Sequence, residues 1–160
     1  MMKNYESLYK EWQFIRSCSI SFINELRDED LDKELPRKGL NTFRKHFEEM
    51  INIEKDFIKA IETKVMRFSD ISDSDIKGKM SKKVLISTME MVDATLSSAL
   101  EALEGEEYIE WGGEKQSLSF YLAFLISHES MHVGQIIAFC YALDIDIPQY
   151  VVKNWALSGK

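Results

Sequence analysis

Helix breakers are scarce in this chain, with two prolines and seven glycines in 160 residues. Strand-like alternation is almost absent too, so the turn-punctuated strand architectures are a poor fit. Cysteine is equally sparse. Cys18 and Cys140 cannot build a disulfide framework, and each falls in a helical apolar pattern, as a buried thiol does. Basic residues number 20 against 27 acidic ones, a net charge of -7. With no basic patch among interleaved aromatics, a nucleic-acid partner is excluded, because Lys and Arg must neutralise its phosphates. No run reaches the roughly 18 apolar residues needed to cross a bilayer. The opening "MMKNYESLYKEWQF" has neither an apolar signal core nor a small-residue cleavage site. The expectation is a soluble cytoplasmic protein with no membrane partner. Internal repeats and low-complexity tracts are also missing.

What is present is helical periodicity, four times over. The length and the 45% hydrophobic content predict a single domain, 1–160, with one sizeable core. The first segment spans about Tyr5 to Leu31, with Leu8, Trp12, Ile15, Ser19, Phe22 and Leu26 on one face. Pro36 and Gly39 then mark a break. The second begins at Asn41 or Thr42, either a suitable cap, and runs through Phe43, Phe47, Met50, Phe57 and Ile61 to about Val65. A loop, "RFSDISDSDIKGKM", follows. The third starts at Ser81 and reaches about Glu104, with Val84, Thr88, Met91, Thr95, Ser98 and Ala102 as its inner face. The irregular "GEEYIEWGGEKQS" holds a short extended piece around Tyr108 to Trp111. The fourth segment, about Ser117 to Leu143, is apolar nearly all round. Such a helix is buried on more than one side, centrally or in a dimer contact. Val151, Val152 and Trp155 are expected to pack the tail across the rest. Four helices of this length predict an all-α, antiparallel four-helix bundle.

The chain has three histidines, His46, His128 and His132. In "SHESMHVGQI", His128 and His132 are four residues apart and share a helix face. Tyr121, Leu125, Gln135 and Phe139 lie on that face, while His46 shares another with Met50, Ile53 and Phe57. All three therefore sit on or beside inward stripes. Two readings stand open. As core histidines they need partners for every ring nitrogen, since an unpaired buried polar group costs about 1–3 kcal/mol. As metal ligands, three of those nitrogens are taken at once, and three imidazoles with an open position suit catalytic zinc. "HESMH" also fits the H-E-x-x-H pattern of zinc peptidases. A third ligand is missing downstream, where only Asp144 and Asp146 are acidic, and no strand pattern precedes it. The peptidase reading is set aside.

A histidine near the start of helix two, followed on the last long helix by "HESMHVGQI", resembles the DinB/YfiT-like proteins. The four-segment layout and the "EWGGEKQS" break agree, so the resemblance covers nearly the whole chain. It implies that His46, His128 and His132 bind one divalent metal, commonly zinc or nickel. It also implies a homodimer and a low-molecular-weight thiol co-substrate, as in bacillithiol or mycothiol transferases. The expected function is thiol transfer to a small-molecule substrate. Hydrolysis at the same site, or non-catalytic binding of metal or ligand, are the alternatives.

Glu129 is the candidate catalytic base, or else an acceptor that orients its neighbours. It sits about 100° around the helix from His128 and about 60° from His132 on the other side. Gln135 is a candidate donor to a metal-ligand partner. Gly134 is expected to let another helix approach closely. Tyr121 reads as a buried aromatic with a satisfied hydroxyl. Arg16 and Arg44 read as arginines on solvated faces.

Overall fold

The computed structural model describes residues 5–34, 41–69 and 80–158. Pro36, Gly39 and most of the expected loop before Ser81 lie outside the described residues. Four long helices account for most of the rest: α1 (Glu6–Glu25), α3 (Phe43–Thr63), α4 (Lys82–Glu101) and α5 (Leu118–Ala142). Short α2 (Asp28–Leu31) follows α1, strands β1 (Tyr108–Trp111) and β2 (Glu114–Ser117) precede α5, and α6 (Gln149–Asn154) ends the described chain. The all-α bundle expected from periodicity is what forms.

Local chemistry sets the helix starts. Thr42, rather than Asn41, caps α3, its hydroxyl accepting from Lys45 N at 3.3 Å. Ser81 does the same for Val84 N, and Ser117 for Phe120 N, each at 3.3 Å. Each cap satisfies one of the orphan amides of a first turn. The first helix is shorter than its stripe suggested. Leu26 and Arg27 are extended, with ψ of 137° and 153°, and α2 begins anew. Positions 26 and 31 of one continuous helix would point about 140° apart. The break lets Leu26 and Leu31 both reach the core, where they are 3% and 0% exposed.

The expected inner face of α4 is corrected. Leu85, Met89, Val92, Leu96 and Leu100 are buried, whereas Met91 is 58% exposed and Val84 45%. Two stripes of near-identical spacing interleave on this helix. The one with larger apolar side chains removes more surface from water, so it turns inward.

The extended piece at Tyr108 to Trp111 is present and has a partner. It pairs antiparallel with β2, Trp111 opposite Glu114. Gly112 and Gly113 form the two-residue turn with φ of 59° and 88°. Positive φ at both central positions belongs to the hairpin turn whose twist matches its strands. In α6, Val151 is fully buried. Trp155 lies over Phe14, with 5.9 Å between ring centroids, and donates from Nε1 to Cys18 Sγ at 3.4 Å. The tail therefore packs on α1, as expected.

Helix directions follow from the long-range contacts. Tyr5 meets Gly105 and Glu107, just before the hairpin, and Arg16 meets Glu129, so α1 and α5 run parallel. His46 meets His132 while Phe57 meets Tyr121, so α3 runs against α5. Lys82 reaches the carbonyls of Asn24 and Leu26, so α4 runs against α1. Arg44 binds the Met80 carbonyl just before α4, so α3 and α4 are parallel. The bundle is thus antiparallel across α1/α4 and α3/α5, and parallel across the other two pairs. The connection after α3 allows this, since a 20-residue helix is about 30 Å long and extended chain covers about 3.3 Å per residue. At the described residues on either side of this connection, Ser69 binds Asp56, and Met80 N donates to Glu48 at 3.4 Å.

Candidate metal centre

Antiparallel packing of α3 on α5 brings the histidines together. His128 Nε2 and His132 Nε2 lie 3.3 Å apart. Glu49, on α3, places Oε1 at 3.7 Å from His132 Nε2 and 4.0 Å from His128 Nε2. The ligand atoms of Glu49, His128 and His132 all fall within 4.8 Å of one another. His46 approaches His132 from the other side, Nδ1 to Nδ1 at 2.8 Å, so one ring donates and the other accepts. Its ring stands edge-on to His132, with centroids 5.0 Å apart. All three sequence-predicted histidines are thus brought to one place, and Glu49 joins them unforeseen. Its only signal in the sequence was its position, one turn beyond His46 on the same helix.

Electrostatics favour the neutral rings. Burial, then the neighbouring His128 and His46, push His132 down to about 3, with the Gln135 side chain pulling the other way. Burial also lowers His128, opposed by Glu49. Neutral imidazoles have the free lone pair a metal needs. The spacing fits as well. Ligand nitrogens about 2.0–2.1 Å from a tetrahedral ion sit about 3.3–3.4 Å from each other. If His132 presents Nε2, its Nδ1–H is left to donate to His46, the usual way a ligating histidine is oriented.

Glu129 faces another set of partners. It is 1% exposed, and its Oε1 accepts from Arg16 Nη1 at 2.9 Å and Ser19 Oγ at 2.6 Å. Arg16 also binds Glu54 on α3 and, through Nε at 3.0 Å, Asp93 on α4. One guanidinium on α1 therefore ties all four long helices together, stacked over Trp12 at 4.6 Å. The solvated-face expectation for both arginines is corrected. Arg16 is 2% exposed, and Arg44, 8% exposed, pairs with Asp32 at 2.8 Å. The carboxylates that pair with Arg16 lie on three other helices, and Asp32 lies outside the helix that carries Arg44, so neither burial was visible in the helical pattern.

Two further residues differ from expectation. Tyr121 is fully buried, but among the described residues its hydroxyl has no hydrogen-bond partner. Gly134 meets no close helix, since a Cβ built there would find nothing within 4 Å.

Comparison with known proteins places this arrangement. Residues 1–141 match the sequence profile of the DinB family, a span that includes Glu49 and all three histidines. A DinB-like protein from Bacillus cereus ATCC 10987 superposes with a TM-score of 0.69 at 17% identity, over 89% of this chain and 95% of its own. A DinB-like protein from Bacillus subtilis gives a TM-score of 0.66 at 13% identity, over 90% of this chain and 97% of its own. At such identities the likeness concerns the fold. Among curated proteins nothing matches. The profile match over most of its length, with a shared bundle beneath it, shows that the chain belongs to the DinB family.

Proposed function

We propose that this chain is a divalent-metal-dependent enzyme. Its cation, zinc or nickel, is held by His128 and His132 with Glu49 beside them, and His46 orients the ring of His132. Its reaction is transfer of a low-molecular-weight thiol of the bacillithiol type to an electrophilic small molecule. The observation that carries the metal reading is the 3.3 Å approach of His128 Nε2 to His132 Nε2, with the Glu49 carboxylate alongside. The thiol rests on family resemblance alone.

When bound, such a cation lowers the pKa of a thiol or of water enough to leave a nucleophile near neutral pH. The chain's own residues do the rest. Burial keeps His128 and His132 unprotonated. His46 fixes the ring of His132. The half-exposed side chain of Glu49 stands at the mouth, where it can accept a proton from an incoming thiol or water. Glu129 enters as a positioning residue, because its bonds to Arg16 and Ser19 set the rotation of α5.

The test is elemental analysis of tag-free protein beside folded His46→Ala and His128→Ala variants, then turnover of a generic aryl electrophile with and without thiol. About one cation per chain in wild type, lost in His128→Ala and weakened in His46→Ala, with thiol-dependent turnover falling alongside, is the expected result. Turnover without thiol moves the assignment to hydrolysis. Tight metal with no turnover leaves a binding module. No metal after reconstitution overturns the site.

A further inference from the structure

Glu54 lies at the middle of α3 and is 0% exposed. Three other helices turn ionisable groups toward it: Arg16 from α1, Asp93 from α4 and Glu129 from α5. Its Oε2 accepts from Arg16 Nη2. The same guanidinium gives Nε to Asp93 at 3.0 Å and Nη1 to Glu129 at 2.9 Å. One cation thus stands among three carboxyl groups. Were all three ionised, two negative charges would be left uncompensated, and burial makes such charge costly.

The second oxygen of Glu54 supplies an independent observation. Oε1 is buried and, among the described residues, has no hydrogen-bond donor. The remaining neighbour of Glu54 on α4 is the Asp93 carboxylate, another acceptor. Two ionised carboxylates have no proton to share, and at close range only one of them stays ionised. A proton between them removes the orphaned oxygen and one surplus charge together.

We infer that Glu54 is carried in the folded protein as the neutral acid, its Oε1 hydroxyl donating to Asp93, so that a bound proton fastens α3 to α4 and its release loosens them. Among the three carboxyl groups the choice falls on Glu54. Glu129 Oε1 already accepts from two donors, Arg16 Nη1 and Ser19 Oγ, which hold its charge. The Asp93 side chain is 22% exposed, so it keeps contact with water and gives the proton a way out. Burial, joined by Asp93 and Glu129 against the pull of Arg16, carries Glu54 up to about 9. A folded value above the ordinary 4.5 means that stability is present in full below 4.5 and declines as pH rises toward the folded value. The bundle therefore holds a switch that responds to alkaline pH. The inference does not depend on the metal.

Infrared spectroscopy in heavy water reads the proton directly, because the carbonyl stretch of a neutral carboxyl is separate from that of a carboxylate. Wild type at about pH 7, where exposed carboxyls are ionised, is expected to show such a band, and Glu54→Gln is expected to lose it. Urea denaturation gives the energetic readout. Between about pH 7 and pH 8.5 the unfolding equilibrium constant of wild type is expected to rise relative to that of Glu54→Gln by about tenfold per pH unit, the response to one proton held only by the folded state. The glutamine amide donates to Asp93 as the acid does, without titrating. The buried thiols and the histidines titrate alike in both proteins, so the difference isolates Glu54. Asp93→Asn keeps Glu54 and removes its charged neighbour; there the band is expected to vanish at a lower pH than in wild type. Absence of the band in wild type, or an undiminished band in Glu54→Gln, overturns the inference. So do parallel stability profiles in wild type and Glu54→Gln.

Discussion

Arg16 Nη1 stands 2.9 Å from Glu129 Oε1 in a part of the bundle that excludes water. The same guanidinium serves Glu54 and Asp93, so a single cation faces three carboxylates. Burial works against its charge, and those three neighbours restore and raise its basicity. Burial pushes the Glu54 and Glu129 carboxyls up, against the pull of Arg16. Removing the arginine leaves those carboxylates buried and uncompensated.

Arg16→Met is accordingly expected to destabilise the chain by about 3–5 kcal/mol, the usual cost of breaking a buried pair from one side. Ser19→Ala, which removes one hydrogen bond to Glu129, is expected to cost about 1–3 kcal/mol. Urea denaturation measures both. A loss below 1 kcal/mol for Arg16→Met would show that the network does not hold the helices together.

Metal affinity should separate the four residues of the candidate centre. His128→Ala and His132→Ala are expected to abolish binding, and His46→Ala, which removes the group bonded to His132, to weaken it. Glu49→Gln is expected to weaken it by about 10–100-fold, as loss of a supporting group typically does. Competition with a chelator of known affinity reads the difference. Equal affinity in Glu49→Gln and wild type would remove Glu49 from the site.

The two faces of α4 make opposite expectations. Leu96→Ala is expected to cost about 2–5 kcal/mol through the cavity it opens. Thr95→Ala, one residue away on the exposed side, should stay within about 0.5 kcal/mol of wild type. Thermal or urea unfolding would reverse this order if the face expected from sequence were the buried one.

Both thiols should be silent in the native state. Burial pushes Cys140 up to about 12 and raises Cys18 as well. Only the thiolate reacts. A chromogenic disulfide reagent at pH 8 is expected to find no fast-reacting thiol in folded protein and both after denaturation.

Asp30 links stability to acid. Its bonds to Arg27, with help from Lys33, hold it at about 2, below the ordinary 3.8. A depressed carboxyl stabilises the fold above its unfolded pKa, and the gain is lost as pH falls through the folded value. Allowing for the exposure of Arg27, the contribution is about 1 kcal/mol. Asp30→Asn should lose that amount at pH 7 and show a shallower decline between roughly pH 4 and pH 2. An unchanged acid profile would mean the ion pairs contribute nothing.

Much of the architecture was legible from the chain alone, because its causes are local. Thr42, Ser81 and the apolar spacings of α1, α3 and α5 act within a few residues, so they mark helices without knowledge of the partners. The histidine pair of α5 was legible for the same reason: a spacing of four is one helical turn. What lay beyond was decided by groups distant in sequence. The inner face of α4 depended on which of two similar stripes fits α1 and α3. The burial of Arg16 required carboxylates from three other helices. Glu49 joins the histidines only because α3 runs against α5, and the parallel course of α3 and α4 rests on a long return connection. The sequence by itself determined where helices form and which chemistry they carry. The tertiary structure alone decided which side chains meet, because burial and charge pairing are settled between elements and not within them.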